Sequence, residues 1–232
     1  QEVHTPTDHQ PSAATSHHWH GLKPPSHMDG GPHHPVGANE KMQVDFTVNQ
    51  EAATLWFHPL ALGTTAEQVY AGLAGLIFVE DDNSDQLDLP KDYGVNDFPL
   101  IIQDRTFDAD NQFDYAGTYN PDGTYGDTLL INGTINPYVE VTNELVRLRL
   151  VNGSNARNYT FGLENGAVFH QIASDGGFLE QPVALTSVTL TPGERAEIIV
   201  DLSGYAEGDT VKLMDGNATV LSLNVTEEAD AQ

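Results

Sequence analysis

His18-Trp19-His20 is the first point in this sequence where residue type and spacing together could do chemistry. On an extended strand, side chains at i and i+2 leave the same face, so His18 and His20 aim at one point while Trp19 turns away. Two imidazoles converging from one strand make half a metal site, and neutral imidazole suits copper, zinc, iron and nickel. A His-x-His pair also occurs on ordinary surface strands, so by itself the pattern leaves both readings open. His17 precedes the pair and by alternation should face away from His18. Further along, Leu55-Trp56-Phe57-His58-Pro59-Leu60 reads as a strand that delivers His58 and position 60 to one face. Position 60 is a leucine and offers no ligand atom. His27, His33 and His34 sit in a loop rich in proline and glycine, where a histidine is more often solvated than ligating.

The elements that must position these residues read as strands. Met42 to Val48 alternates apolar and polar as a half-buried strand should, and Thr54 to His58 is another. Ala66, Val69, Tyr70 and Leu73 recur at helical spacing, so one short helix or turn is expected within 65–73. Leu76 to Val79 is an apolar strand that closes the first unit. The acidic stretch that follows, with Pro90 and Gly94, reads as a linker over 83–97.

Beyond it, short strands punctuated by turns signal a β-sandwich. The strand candidates are 98–103, 128–131, 145–152, 167–173, 187–190, 197–202, 210–214 and 220–225. Turn signals between them include Asn132-Gly133, Asn152-Gly153, Asp175-Gly176-Gly177 and Pro192-Gly193-Glu194. The expected organisation is all-β: an N-terminal unit over 1–82, the linker, and a second unit over 98–232. Residues 1–14 read as a weak edge strand or a loosely held arm.

Composition narrows the function. The chain has 232 residues, 34 acidic against 9 basic side chains and a formal net charge of −25. Such a surface repels nucleic acid and anionic lipid, which removes both as partners, and it attracts cations. Mean hydropathy of −0.35 fits a globular chain, and no apolar run approaches the ~20 residues of a membrane span. The start, Gln1-Glu2-Val3-His4, has neither the basic nor the apolar region of a signal peptide. Five Asn-x-Ser/Thr sites, at Asn132, Asn152, Asn158, Asn217 and Asn224, permit glycosylation only in a secreted eukaryotic protein, and turn chemistry accounts for Asn132 and Asn152 equally well. Cysteine is absent, so the chain holds no disulfide and no thiolate ligand.

Four motifs stand in a fixed order: His-Trp-His-Gly-Leu from His18, Asp-Gly-Gly-Pro-His from Asp29, Ala-Ala-Thr-Leu-Trp-Phe-His-Pro from Ala52, and Gly-Leu-Ala-Gly-Leu from Gly72. Together they resemble the first domain of the multicopper oxidases, the family of laccases and bacterial cuprous oxidases. Asp127 to Gly133, Arg147 to Gly153 and Ala173 to Gly177 resemble the middle domain of the same family. The resemblance implies two cupredoxin-like Greek-key β-sandwiches and export from the cytosol. It also implies copper as cofactor, and a laccase-type oxidoreductase in which oxygen is reduced at a three-copper cluster.

By motif, His18 resembles the ligand of the type 2 copper, and His20 and His58 resemble two ligands of one type 3 copper. The fourth ligand position is Leu60. Of the second half only His170 is available, and the family's middle domain carries no copper. A blue-copper site needs a Cys thiolate beside two histidines, so no type 1 copper is expected in this chain. Its metal site is then a partial type 2/type 3 site. The resemblance implies copper ions as partners, and a third domain, a second chain or another copy of this chain to complete the cluster.

Three readings follow. The chain is part of an oxidase and inactive alone, or a copper-binding module without turnover, or a copper-free structural relative that binds partners. The rim carrying the histidines should be open, with Trp56 or Phe57 exposed upon it.

Overall fold

The computed structural model describes residues 14–227; of the arm expected over 1–14, all but Ala14 lies outside them. Strands β1 (His18–His20), β2 (Ala53–His58) and β3 (Gly75–Val79) form a three-stranded antiparallel sheet with β2 in the centre. Helix α1 (Thr65–Tyr70) crosses between β2 and β3, at the helical spacing of Ala66, Val69 and Tyr70. It is the longest helix among the described residues, at six.

The alternating segment 42–48 forms no strand, contrary to expectation. Its alternation survives in burial, with Val44 and Phe46 half-buried and Met42 and Val48 exposed. What it lacks is a neighbouring strand among the described residues, and a strand is defined by its ladder rather than by its pattern.

The stretch 83–97 opens in helix α2 (Asp82–Gln86), which begins with a capping box. The Asp81 side chain accepts from Ser84 N at 2.7 Å, and Asp81 N donates to Ser84 Oγ at 3.0 Å. The other Asp81 carboxylate oxygen accepts from Ala52 N at 2.9 Å, which ties the cap to the start of β2. The Ser84 and Ala52 amides hold this carboxylate's pKa below the usual value, against a smaller opposing effect of burial.

The second half is a sandwich of two sheets. Strands β4 (Asp97–Arg105), β5 (Thr128–Ile131), β7 (Leu145–Asn152), β9 (Phe169–Ser174), β10 (Gly177–Leu185) and β12 (Arg195–Asp201) form one, in the order β10-β9-β12-β7-β4-β5. The other, ordered β11-β8-β13-β14-β6, contains β6 (Tyr138–Thr142), β8 (Tyr159–Leu163), β11 (Val188–Leu190), β13 (Thr210–Asp215) and β14 (Ala218–Glu227). A short helix, α3 (Tyr115–Thr118), interrupts the β4–β5 connection. Eight of these strands were expected, within a few residues at each end. The unexpected ones are β6, β8 and β10. Tyr159, Phe161 and Leu163 alternate clearly enough to have revealed β8, whereas β10 contains Pro182 and a register shift between Phe178 and Val183 that break its pattern.

The core lies between the two sheets. Phe98, Leu100 and Ile102 of β4, Val146, Leu148 and Leu150 of β7, and Ala196, Ile198 and Val200 of β12 point into it. Period-two alternation then sends Asp97, Arg147, Arg149, Arg195 and Glu197 to the opposite face. That face is not in water. The three-stranded sheet packs over it, with β2 against β12 and β10, and all five side chains are buried.

Candidate metal centre

In the β1–β2 ladder His18 lies opposite His58 and His20 opposite Trp56, so all four side chains share one face of the sheet. His17, Trp19 and Phe57 take the other. His17 is exposed there, as expected, with its ring stacked on Phe57 at 4.2 Å and against Trp19 at 4.2 Å. Trp19 Nε1 donates to Met28 O, which anchors the strand to the 3-10 turn Ser26–Met28.

One potential ligand nitrogen from each of His18, His20 and His58 comes within 4.8 Å of the other two. Each ring is held by a specific contact. His58 Nδ1–H donates to the carbonyl of Pro59 at 2.8 Å, which leaves Nε2 as an acceptor. His20 Nδ1–H therefore donates to His58 Nε2, at 2.9 Å. His18 Nδ1 lies 3.2 Å from the carbonyl of Asp29 and 3.2 Å from its Oδ1. The carbonyl is in line for the hydrogen bond, while Oδ1 is buried without one.

A histidine oriented through Nδ1 by an oxygen acceptor presents Nε2 as a ligand. His18 and His58 are oriented in this way. Three half-buried imidazoles at this separation fit a copper ion, with the His20–His58 hydrogen bond exchanged for coordination.

The second half lines one side of the site. His20, Trp56 and His58 share a pocket of about 350 Å³ with Val69 of α1, Ser154 and Asn155 after β7, and Pro192 and Gly193 before β12. Sequence reasoning singled out none of the second-half residues, nor Asp29 as the partner of His18. For Asp29, the signal was its Asp-Gly-Gly turn so close to the first histidines. Arg195 left no signal, because the approach of β12 to β2 is a tertiary fact. His170 lies on β9 and is not part of the cluster.

Two expectations change here. Trp56 is only 4% exposed and Phe57 is half-buried, so neither forms an open apolar rim. Trp56 packs against the His20 and His58 rings, with centroids 5.4 and 4.5 Å away, while Phe57 lies over Gly75 of β3 and stacks with His17. Leu60 lies past the end of β2 and beyond Pro59, with its backbone N–H donating to Ser16 Oγ at 2.8 Å. No strand carries it to the face of His58.

Two multicopper oxidase family models match this chain, over residues 7–84 and 96–209. The chain belongs to the multicopper oxidase family. It is 45% identical to the multicopper oxidase mco of Staphylococcus haemolyticus over 207 residues, 89% of this chain and 45% of that protein. It is also 45% identical to the cell division protein FtsP of Escherichia coli over 203 residues, 85% of this chain and 41% of that one. Among solved structures, the multi-copper oxidase of Pediococcus acidilactici superposes with a TM-score of 0.92 at 41% identity, covering 95% of this chain and 47% of that one. McoA of Aquifex aeolicus superposes with 0.86 at 38% identity, covering 95% and 52%. The chain thus spans about half the length of the multicopper oxidases it matches. The fold class is that of the family: all-β, with cupredoxin-like sandwich architecture.

Electrostatics suit a metal-binding imidazole in a multicopper oxidase. Burial, the nearby Arg195 cation and the two other histidines lower the His20 pKa from 6.5 to about 4. Burial also lowers the His58 pKa, against the hydrogen bond to Pro59. The His20 ring therefore stays neutral, and so able to ligate, at mildly acidic pH, and the shift at His58 acts in the same direction. Between pH 6.5 and 4 the unfolded chain binds a proton at position 20 that the folded chain does not. Stability should therefore fall as pH drops through that window and level off below about 4. For a half-buried ring the contribution is about 1–2 kcal/mol after solvent screening. Urea midpoints at pH 7 and 4.5 test this: wild type should lose more stability than His20→Gln, and equal losses would refute it.

Proposed function

We propose that this chain forms the first two cupredoxin-like units of a laccase-type multicopper oxidase, and that it supplies His18, His20 and His58 to a copper cluster that reduces oxygen. The observation that carries this reading is the convergence of three imidazoles on one face, two of them oriented through Nδ1 by backbone carbonyls. Bound copper would supply one-electron redox chemistry there. The protein's part is to hold neutral nitrogens at fixed positions and to bury the site against the second half. In this reading 1–82 and 98–232 are the two units and 83–97 joins them, which the separate family matches to 7–84 and 96–209 support.

His18 takes the role of a type 2 ligand, and His20 and His58 those of type 3 ligands, from the motifs they occupy. The remaining ligands and the electron entry site then come from a further domain, a second chain or another copy. The sequence contains no cysteine, so a thiolate-ligated blue copper cannot form from its residues. Export fits the family resemblance. No helix among the described residues is long and apolar enough to cross a membrane.

Leu60 favours a second reading, a non-catalytic copper-binding or copper-free member, and the match to FtsP is in keeping with it. Copper titration of the purified chain separates the two. The first reading expects Cu(II) bound with an ordinary type 2 spectrum, no intense thiolate-to-copper band near ~600 nm, and no steady oxidation of phenols by the chain alone. A wild type that binds no copper would favour the structural reading.

A further inference from the structure

All three histidines come from the first 58 residues, yet the surfaces that fix His20 are built near residues 175–195. We propose that Arg195, with the Thr191–Glu194 turn that it braces, is a positioning residue for the His20 ligand. This rests on the copper-cluster reading above.

Arg195 is 5% exposed and its guanidinium is committed on every side. Its Nε donates to the carbonyl of Thr54 on β2 at 3.2 Å, Nη1 to the carbonyl of Gly193 at 3.1 Å, and Nη2 to the carbonyl of Asp175 at 2.8 Å. The Asp175 carboxylate accepts from Arg195 N at 2.7 Å and balances the charge at 3.5 Å from Nη1.

Each anchored piece bears on His20. Gly193 has φ +88, and a Cβ there would lie 3.1 Å from His20 Cε1 and 3.6 Å from Nε2. The turn backbone thus backs directly onto the imidazole, and only glycine combines that φ with that approach. Gly21, the residue after His20, has φ +102, and a Cβ on it would reach Arg195 Nη2 at 2.8 Å. The guanidinium therefore lies against the chain just past the ligand. Thr54 sits two residues before Trp56, the cross-strand partner of His20. One buried side chain consequently fixes the turn behind the ring, the backbone after it and the strand beside it. Metal sites depend on such supporting groups, whose loss typically costs 10–100-fold in affinity.

The competing explanation is that Arg195 is only a structural member of the buried charged face, as Arg147 is. Arg147 is equally buried and bonded to Glu197 and the Pro90 carbonyl, and its hydrogen bonds reach none of the three histidines. The test compares wild type, Arg195→Lys, Gly193→Ala and Arg147→Lys by Cu(II) competition titration, EPR of the copper-loaded chain, and imidazole NMR of the metal-free chain, alongside denaturation midpoints. Arg195→Lys and Gly193→Ala should each weaken Cu(II) binding about 10–100-fold, change the hyperfine pattern and shift the His20 ring resonances. Arg147→Lys should lower the midpoint while leaving affinity, EPR and His20 resonances as in wild type. The proposal is overturned if the two site variants fold and keep wild-type His20 resonances, or if Arg147→Lys shifts them as much. A wild type that binds no Cu(II) refutes the copper-cluster reading instead, and the metal-free NMR still decides the role of Arg195.

Discussion

Asp97→Ala should destabilise the protein by about 3–5 kcal/mol, the usual cost of leaving a buried charge without its partner. Asp97 is 2% exposed and Arg149 is 6% exposed. They meet in a two-pronged pair, Nε to Oδ1 at 2.8 Å and Nη2 to Oδ2 at 2.7 Å. The third nitrogen of Arg149 reaches Thr54 Oγ1 at 3.0 Å, and the guanidinium lies over the Phe78 ring, 4.1 Å from its centroid. Burial opposes the Arg149 charge, but Asp97 and Glu197 more than offset it, so its pKa moves upward.

Alanine at 97 removes the main counter-charge and leaves Glu197 Oε1 at 3.8 Å. At about 2–4 °C per kcal/mol for a chain of this size, the melting temperature should drop by about 10 °C. The double change Asp97→Leu with Arg149→Met should recover most of that, because a buried ion pair replaced by apolar groups is often neutral. Calorimetry of the three proteins checks it. A fall of only a degree or two for Asp97→Ala would mean that the pair is hydrated in solution.

The second large effect concerns metal. His58→Ala should lower Cu(II) affinity by about 100-fold or more, since losing even a group that only orients a ligand costs 10–100-fold and His58 is a direct candidate ligand. It lies opposite His18 in the ladder, and its Nε2 is the atom that His20 approaches. His17→Ala is the internal control. It is adjacent in sequence to the cluster but stacks on Phe57 on the other face, so copper affinity should stay at the wild-type value. Competition with a chelator of known affinity measures both. Equal losses in the two variants would mean that the histidines bind copper without the geometry of the strand pair.

Much of the candidate site is legible in the amino-acid sequence alone. Period-two geometry puts His18 and His20 on one face whatever the strand pairs with. The motif around His58 supplies the third member. The absence of cysteine limits the copper chemistry open to these residues by composition alone. Most strands of the second half are equally legible, because alternation and turn residues are local properties that short windows report.

What local pattern could not supply is which surfaces meet. Asp97, Arg147, Arg149, Arg195 and Glu197 occupy the positions that alternation assigns to solvent. The tertiary structure instead covers that face with the β1–β2–β3 sheet, so the charges are buried and must pair with one another. The same packing hides Trp56, brings Gly193 against His20, and makes the second half part of a site whose ligands lie in the first. Segment 42–48 shows the converse, a strand pattern that forms no ladder because no strand lies beside it among the described residues. Side-chain periodicity is set by the backbone of each strand, whereas burial and pairing depend on residues far away in sequence, and only the folded chain decides them.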